Sequence, residues 1–218
     1  MAELQSAGKI HYIGVTNFDA AHLIEILNAG VQVISNQVQY SVLDQRPEAD
    51  ISELCRQHDI KLLCYGTIAG GFLTERYLGA IEPHEPLENR SLTKYKLVID
   101  EFGGWDLFQE LLVSLKAAAD KHRVGIAEVA VKYILQKQLV AGAIVGARNS
   151  RHIERIKQLK TFELDQQDLE DINAIISKSQ GPKGSVYDME RQKDSKHAKI
   201  MRYNQNKLAE ADKNTAGI

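Results

Sequence analysis

The stretch Gly8-Lys9-Ile10-His11-Tyr12-Ile13-Gly14-Val15-Thr16-Asn17-Phe18, followed by Asp19 and then by Leu23, Ile26 and Leu27, holds the first repeat of the pattern that decides the fold. Lys9 to Val15 reads as a short buried strand introduced by Gly8. Asp19 supplies an N-cap, the three apolar residues recur at helical spacing, and Asn28-Ala29-Gly30 ends the helix. The pattern then repeats. Val31-Gln32-Val33-Ile34-Ser35-Asn36-Gln37-Val38-Gln39-Tyr40 is β-rich and alternating, and Pro47-Glu48 opens a helix with Ile51, Leu54 and Cys55 on its apolar face. Lys61-Leu62-Leu63-Cys64-Tyr65 is a third strand, short and apolar enough to be interior. Alternation of this kind predicts parallel strands joined by right-handed crossovers.

Beyond Tyr65 the periodicity lapses. Gly66, Gly70 and Gly71 are followed by a polar stretch with Pro83 and Pro86, expected to run as a long loop from Leu73 to about Gly104. Trp105 opens a helix carrying Phe108, Leu111, Leu112 and Leu115, and a second is expected from Ile126 through Leu135. Gly142-Ala143-Ile144-Val145-Gly146 reads as the fourth strand. Ser150 and Asp165 each cap a further helix. From residue 178 to 218 the chain is polar and lysine-rich, expected as a loosely docked arm or a disordered tail. Three α/β architectures fit this order: a doubly wound sheet, a small complete layer, or part of a (β/α)₈ barrel. No G-x-G-x-x-G follows an early strand and no P-loop motif is present, which counts against the nucleotide-binding forms of the first.

Composition narrows the function classes. The chain has 218 residues with 27 Lys and Arg against 29 Asp and Glu, a formal net charge of -2. That leaves no electrostatic footprint for nucleic acid or an anionic membrane. No apolar run approaches the roughly 20 residues that span a bilayer. The two cysteines, Cys55 and Cys64, lack metal-type spacing and suit a reducing compartment. No H-E-x-x-H or Cys/His cluster supports a metal. The expectation is a soluble, cytoplasmic protein that binds neither nucleic acid nor membrane.

In barrel geometry the carboxyl ends of the strands carry the chemistry. Here those ends are Thr16-Asn17, Asn36 to Tyr40, Tyr65-Gly66, and Gly146-Ala147-Arg148-Asn149. Amides donate and accept to a planar carboxamide at once, an aromatic face stacks on a flat ring, and an arginine beside backbone N–H groups suits phosphate. The set fits a dinucleotide better than a sugar or a peptide. Each residue also has a plainer reading. Tyr65 alone would more often be a core aromatic, Arg148 a solvated helix-start residue, and His152 a surface residue. Gln37 and Gln39, beside Asn36, are amides in a buried strand and need partners.

These segments resemble the aldo-keto reductase family. Gly8 to Phe18, Asn36 to Tyr40, Tyr65 to Thr74 and Ile144 to Asn149 are similar to four of its motifs, in the family's order and across about residues 1–176. The resemblance implies strands five to eight of a (β/α)₈ barrel: about four βα units with a long loop after the third strand. It divides the chain into a cofactor-binding half-barrel, residues 1–177, and a tail, residues 178–218. Thr16, Asn17 and Gln37 would hold a nicotinamide carboxamide, and Tyr65 would stack on the ring. Gly66, Ile68 and Gly70 would pass close to a pyrophosphate. Gly146, Arg148 and His152 would surround the adenosine and its 2'-phosphate, so NADP(H) is the expected cofactor.

Two departures accompany the resemblance. Gly66-Thr67 replaces the family's Ser-Pro, and His152 and Ile156 stand where the family places Gln and Asn toward the adenine. The family's Asp, Tyr, Lys and His tetrad belongs to strands absent here, so no catalytic residue is assigned. The implied activity is reduction of a small-molecule aldehyde or ketone, with this chain, as a truncated barrel, inactive alone. The alternative is an NADP(H)-binding regulatory pseudoenzyme or assembly subunit. Four strands would leave two open edges and an uncovered inner face, which a homodimer or a complementing half-barrel would close.

Overall fold

The computed structural model describes residues 1–147, 150–192 and 195–200. A short helix, α1 (Ala2–Ser6), precedes β1 (Ile13–Thr16) and α2 (Ala20–Asn28). Then come β2 (Val33–Gln39), the short helices α3 (Arg46–Asp50) and α4 (Ser52–Gln57), and β3 (Lys61–Tyr65). Two 3-10 turns lead to α5 (Arg90–Phe102), α6 (Gly104–His122) and α7 (Ile126–Leu135). After β4 (Val140–Ile144) follow α8 (Ser150–Gln158), α9 (Gln166–Ile176), α10 (Val186–Arg191) and α11 (Lys196–Ile200).

The four strands form one parallel sheet in the order β1-β2-β3-β4. No strand reverses the progression, so the doubly wound alternative, which needs a reversal at a switch point, is removed. The architecture is a partial barrel. Thr16 lies opposite Gln37, Gln37 opposite Leu63, and Tyr65 opposite Ile144, which aligns the strand ends at one mouth.

The two faces of this sheet differ. Val38, Leu62 and Cys64 are buried against the helical layer, whereas Thr16, Gln37, Leu63, Tyr65 and Ile144, on the other face, are half-buried or exposed. A fully parallel sheet ordinarily has both faces covered. The uncovered inner face expected of four strands is therefore present among the described residues. The helical side holds the core. α6 buries Phe108, Leu111, Leu112 and Leu115 and packs against α7, whose residues Ile126 to Ile134 are all buried. Phe72 joins this core through rings of Tyr77 at 4.6 Å and Trp105 at 6.2 Å.

Several expectations need correction. The stretch expected as loop from Leu73 to Gly104 contains α5, thirteen residues long. Its apolar positions Leu92, Tyr95, Val98, Ile99 and Phe102 follow helical spacing, and Asn89 caps it by accepting from the Leu92 N–H at 3.0 Å. Intervening lysines and acids interrupt that stripe along the chain and mask it. β4 begins and ends two residues earlier than expected, because its register is set by pairing with β3 rather than by its own run of apolar residues. The helix after Pro47 breaks at Ile51 into α3 and α4. Apart from these corrections, described residues of the C-terminal arm make contacts with the body of the chain. Tyr187 stacks on the His22 ring at 3.8 Å, Arg46 Nη1 reaches Met189 Sδ at 3.4 Å, and the buried His197 bonds Glu101 at 2.8 Å.

Candidate functional site

At the mouth of β1–β3, Asn17 adopts a left-handed backbone (φ 57) and its N–H donates to the Gln37 carbonyl at 2.9 Å. Asparagine tolerates that region better than most residues. The turn brings its side chain under Tyr65, whose hydroxyl donates to Asn17 Oδ1 at 2.9 Å. Thr16, Asn17, Gln37 and Tyr65 thus form one cluster. The other two β2 amides serve the fold instead. Asn36 donates to the Phe18 carbonyl at 2.7 Å, and Gln39 donates to Asp44 Oδ2 at 2.7 Å. Asp44, fully buried, in turn receives the Arg46 guanidinium.

Next to this cluster a cavity of about 430 Å³ opens beyond the carboxyl ends of β3 and β4. Gly66, Thr67, Ile68 and Gly70 form one wall with Ser91 and Tyr95 of α5; Glu128, Val131, Gly146, His152, Arg155 and Ile156 form the other. The glycine turn is what lets α5 close. Gly66 has φ 75, and a Cβ there would lie 2.4 Å from the Tyr95 hydroxyl. The Thr67 hydroxyl is buried with no hydrogen-bond partner in the described structure, a condition that buried polar groups seldom tolerate unless a ligand or water completes them. On the far wall, Arg155 makes a fork to Glu128, Nε to Oε1 and Nη2 to Oε2, both at 2.9 Å. That fork, with burial opposing it, holds the guanidinium pKa above its ordinary value. Glu75 stands 3.7 Å from the same nitrogen and caps α7 by accepting from the Ile126 N–H at 2.8 Å.

Of the residues singled out in the sequence, Gly66, Ile68, Gly70, Gly146 and His152 line the cavity, and Thr16, Asn17, Gln37 and Tyr65 gather at the neighbouring mouth. Arg148 lies outside the described residues. Sequence reasoning missed Ser91, Lys94 and Tyr95, because the stretch that holds them is expected as loop. The Lys94 ammonium sits 5.2 Å from the Tyr65 ring centroid. It also missed the Glu128–Arg155 pair. The signal for the first group was present in the spacing of Leu92, Tyr95, Val98 and Ile99; the pair joins two helices and has no local signature. No group of three or more His, Cys, Asp or Glu side chains suited to a metal occurs among the described residues, and none of their helices is long and apolar enough to cross a membrane.

A parallel half-barrel with a glycine turn beside a cavity at its carboxyl mouth defines the class, and comparison with known proteins agrees. The model of the aldo/keto reductase family matches residues 1–177, and the chain belongs to that family. Among curated proteins, the flagellar radial spoke protein 5 of Chlamydomonas reinhardtii is 35% identical over 128 residues, covering 57% of this chain and 24% of that protein. Protein tas of Escherichia coli is 25% identical over 180 residues, covering 80% of this chain and 50% of its own length. Aldo-keto reductase YhdN of Bacillus subtilis is 26% identical, with 81% and 52% covered. The chain thus spans about half the length, or less, of these relatives. Among solved structures, a glycerol dehydrogenase from Gluconobacter oxydans superposes with a TM-score of 0.67 at 18% identity, over 84% of this chain and 54% of that one. The holo form of an aldo-keto reductase from Bacillus halodurans gives 0.53 at 22% identity, with 80% and 53% covered.

Proposed function

We propose that this chain is the dinucleotide-binding portion of a carbonyl reductase. The observation that carries the reading is the cavity at the carboxyl ends of β3 and β4, walled by the glycine turn and open beside the Asn17–Tyr65 cluster. The residues fit a nicotinamide dinucleotide. Asn17 and Gln37 offer amide groups to a carboxamide, and the Tyr65 ring offers a flat face. In this reading a pyrophosphate would lie against the Gly66–Gly70 turn, where the unpartnered Thr67 hydroxyl would serve it. Bound there, the dinucleotide would supply hydride to a carbonyl carbon. This chain's own part is to bind the dinucleotide, orient its ring against Tyr65 and, with α5, exclude water from one side.

Reduction also needs an acid for the carbonyl oxygen, worth roughly 10²–10⁴-fold. The Asp, Tyr, Lys and His of the family's tetrad have no counterpart among the residues assigned here, so in this reading the acid comes from a completing half. That half would cover the inner sheet face, and a small aldehyde or ketone would be the substrate. The two buried thiols, Cys55 and Cys64, are unpaired, which supports a cytoplasmic setting. The test is titration of the purified chain with NADH and NADPH, followed by nucleotide fluorescence, beside an assay of carbonyl-dependent nucleotide oxidation. Saturable binding without turnover is expected. Absence of binding to the unmodified chain removes the proposal, and turnover by it alone removes the assignment of the acid to a completing half.

A further inference from the structure

We propose that the C-terminal arm, over its described residues, is a strap that holds α5 against the cavity, so that freeing the strap opens the site. Its first anchor lies at the carboxyl ends of β1 and β2. There the Tyr187 ring of α10 lies 3.8 Å from the His22 ring and 5.8 Å from Phe18, with the Arg191 guanidinium 3.7 Å from it. Ser185 and Val186 line a small cleft together with Asn17 and Val38, and Met189 Sδ accepts from Arg46 Nη1 at 3.4 Å. The second anchor lies at the carboxyl end of α5. His197 of α11, buried, bonds Glu101 at 2.8 Å, and the Gln180 N–H donates to the Phe102 carbonyl at 3.4 Å. Gly181 passes so close that a Cβ there would stand 2.9 Å from the Glu101 carbonyl oxygen.

The two anchors are joined. The Ser195 hydroxyl, just before α11, donates to the Met189 carbonyl of α10 at 2.7 Å. Loss of the ring stack at Tyr187 therefore loosens the hold at His197. α5 in turn carries Ser91 and Tyr95, which wall the cavity and crowd the glycine turn. A Cβ at Gly70 would lie 2.8 Å from Ser91 Oγ and 2.9 Å from the Tyr95 ring. Tyr95 and Glu101 are about 1.7 helical turns apart, so a shift of the helix end reaches the cavity wall. The buried stripe of α5 keeps the helix folded whether or not the arm is in place. The arm itself buries little: among its residues of described exposure, Pro182 and His197 alone are buried. A segment held by a few separated contacts opens locally at far lower cost than global unfolding. On the dinucleotide reading, what the strap retains is the bound nucleotide.

The experiment compares the full chain with Tyr187→Ala and His197→Ala by hydrogen–deuterium exchange, and measures dissociation of NADH and NADPH by stopped-flow fluorescence. The ring contacts of Tyr187 lie on Phe18, His22 and Arg191, not on α5, so a purely local role leaves the α5 amides unmoved. Amides from Tyr95 to Phe102 should exchange at least about fivefold faster in each variant, with those of α7 unchanged. Whichever nucleotide binds should leave at least about threefold faster. Unchanged α5 exchange in Tyr187→Ala overturns the strap, as does exchange accelerated equally in α7, which marks general destabilisation. Should His197→Ala unfold, Tyr187→Ala alone decides. Faster exchange with unaltered dissociation overturns the hold on the ligand. If neither nucleotide binds the parent chain, the dinucleotide reading fails, and α5 exchange still decides the strap.

Discussion

Replacing Asp44 with alanine is expected to destabilise the chain by about 3–5 kcal/mol, the usual cost of breaking a buried ion pair from one side. The structure supplies the reason. The Asp44 side chain is wholly buried and the Arg46 side chain is 6% exposed. Asp44 accepts from Arg46 Nε at 2.8 Å, from Arg46 Nη2 at 2.5 Å and from Gln39 Nε2 at 2.7 Å. Asp44→Ala therefore leaves a guanidinium charge and an amide donor without partners, and the stranded charge dominates the loss. Domains of this size are held by only about 5–15 kcal/mol, so the variant should remain folded in buffer but melt early. Urea unfolding followed by Trp105 fluorescence and by circular dichroism gives the free energy by linear extrapolation. A double variant, Asp44→Ala with Arg46→Met, removes the stranded charge and should recover about 1–3 kcal/mol. A loss below about 1 kcal/mol in the single variant, or a double variant no more stable than the single, would refute the reasoning.

Three further outcomes are expected. Gly66→Ala places a Cβ 2.4 Å from the Tyr95 hydroxyl at φ 75; strain of about 1–2 kcal/mol should appear in the thermal midpoint together with weaker nucleotide binding, and Tyr95→Phe should relieve part of it. Acid should weaken the α6–α9 junction. Lys121, and then the Asp168 N–H, hold the Asp165 carboxyl down at about 2. Burial pushes Asp168 up, but hydrogen bonds from His122 and Lys121 outweigh it and leave its pKa below the ordinary carboxylate value. Both groups lie below their unfolded value of about 4, so their stabilisation is complete above that pH and drains away as pH falls toward 2. Urea midpoints between pH 5 and pH 2 should fall less steeply in Asp168→Asn than in the parent; equal slopes would exclude this account. Burial pushes the Cys55 thiol up to about 11 and the Cys64 thiol up to about 12, so a thiol reagent at neutral pH should label both only after unfolding.

What can be read in the sequence follows physical locality. Lys61–Tyr65 is legible because a short apolar run between polar flanks has few alternatives to an interior strand. Asp19, Asp165 and Trp105 mark helix starts through caps and bulk that act within one turn. α5 is hidden when its stripe is weighed against Lys94, Lys96 and Asp100 rather than tracked by spacing. The break at Ile51, which ends α3 and starts α4, is marked by no Gly or Pro at that position and has no local signal. Within the site, the strand-end residues Thr16, Asn17, Gln37 and Tyr65 can be named because parallel strands deliver their carboxyl ends together. Asn36 and Gln39 cannot be sorted from Gln37, since their partners, Phe18 and Asp44, are fixed by tertiary geometry. The convergence of Glu75, Gly125, Glu128 and Arg155 draws on segments as many as 80 residues apart (155 − 75) and is visible only in three dimensions.

The unequal sides of the sheet divide mutational tolerance by parity. Along β3, the even-numbered Leu62 and Cys64 are packed to 2% and 0% exposure, while the odd-numbered Lys61, Leu63 and Tyr65 are not buried. Substitution at even positions draws on the folding free energy, whereas odd positions can vary with little penalty to folding. A lineage can therefore alter the open side of β3 one odd residue at a time without first acquiring spare stability.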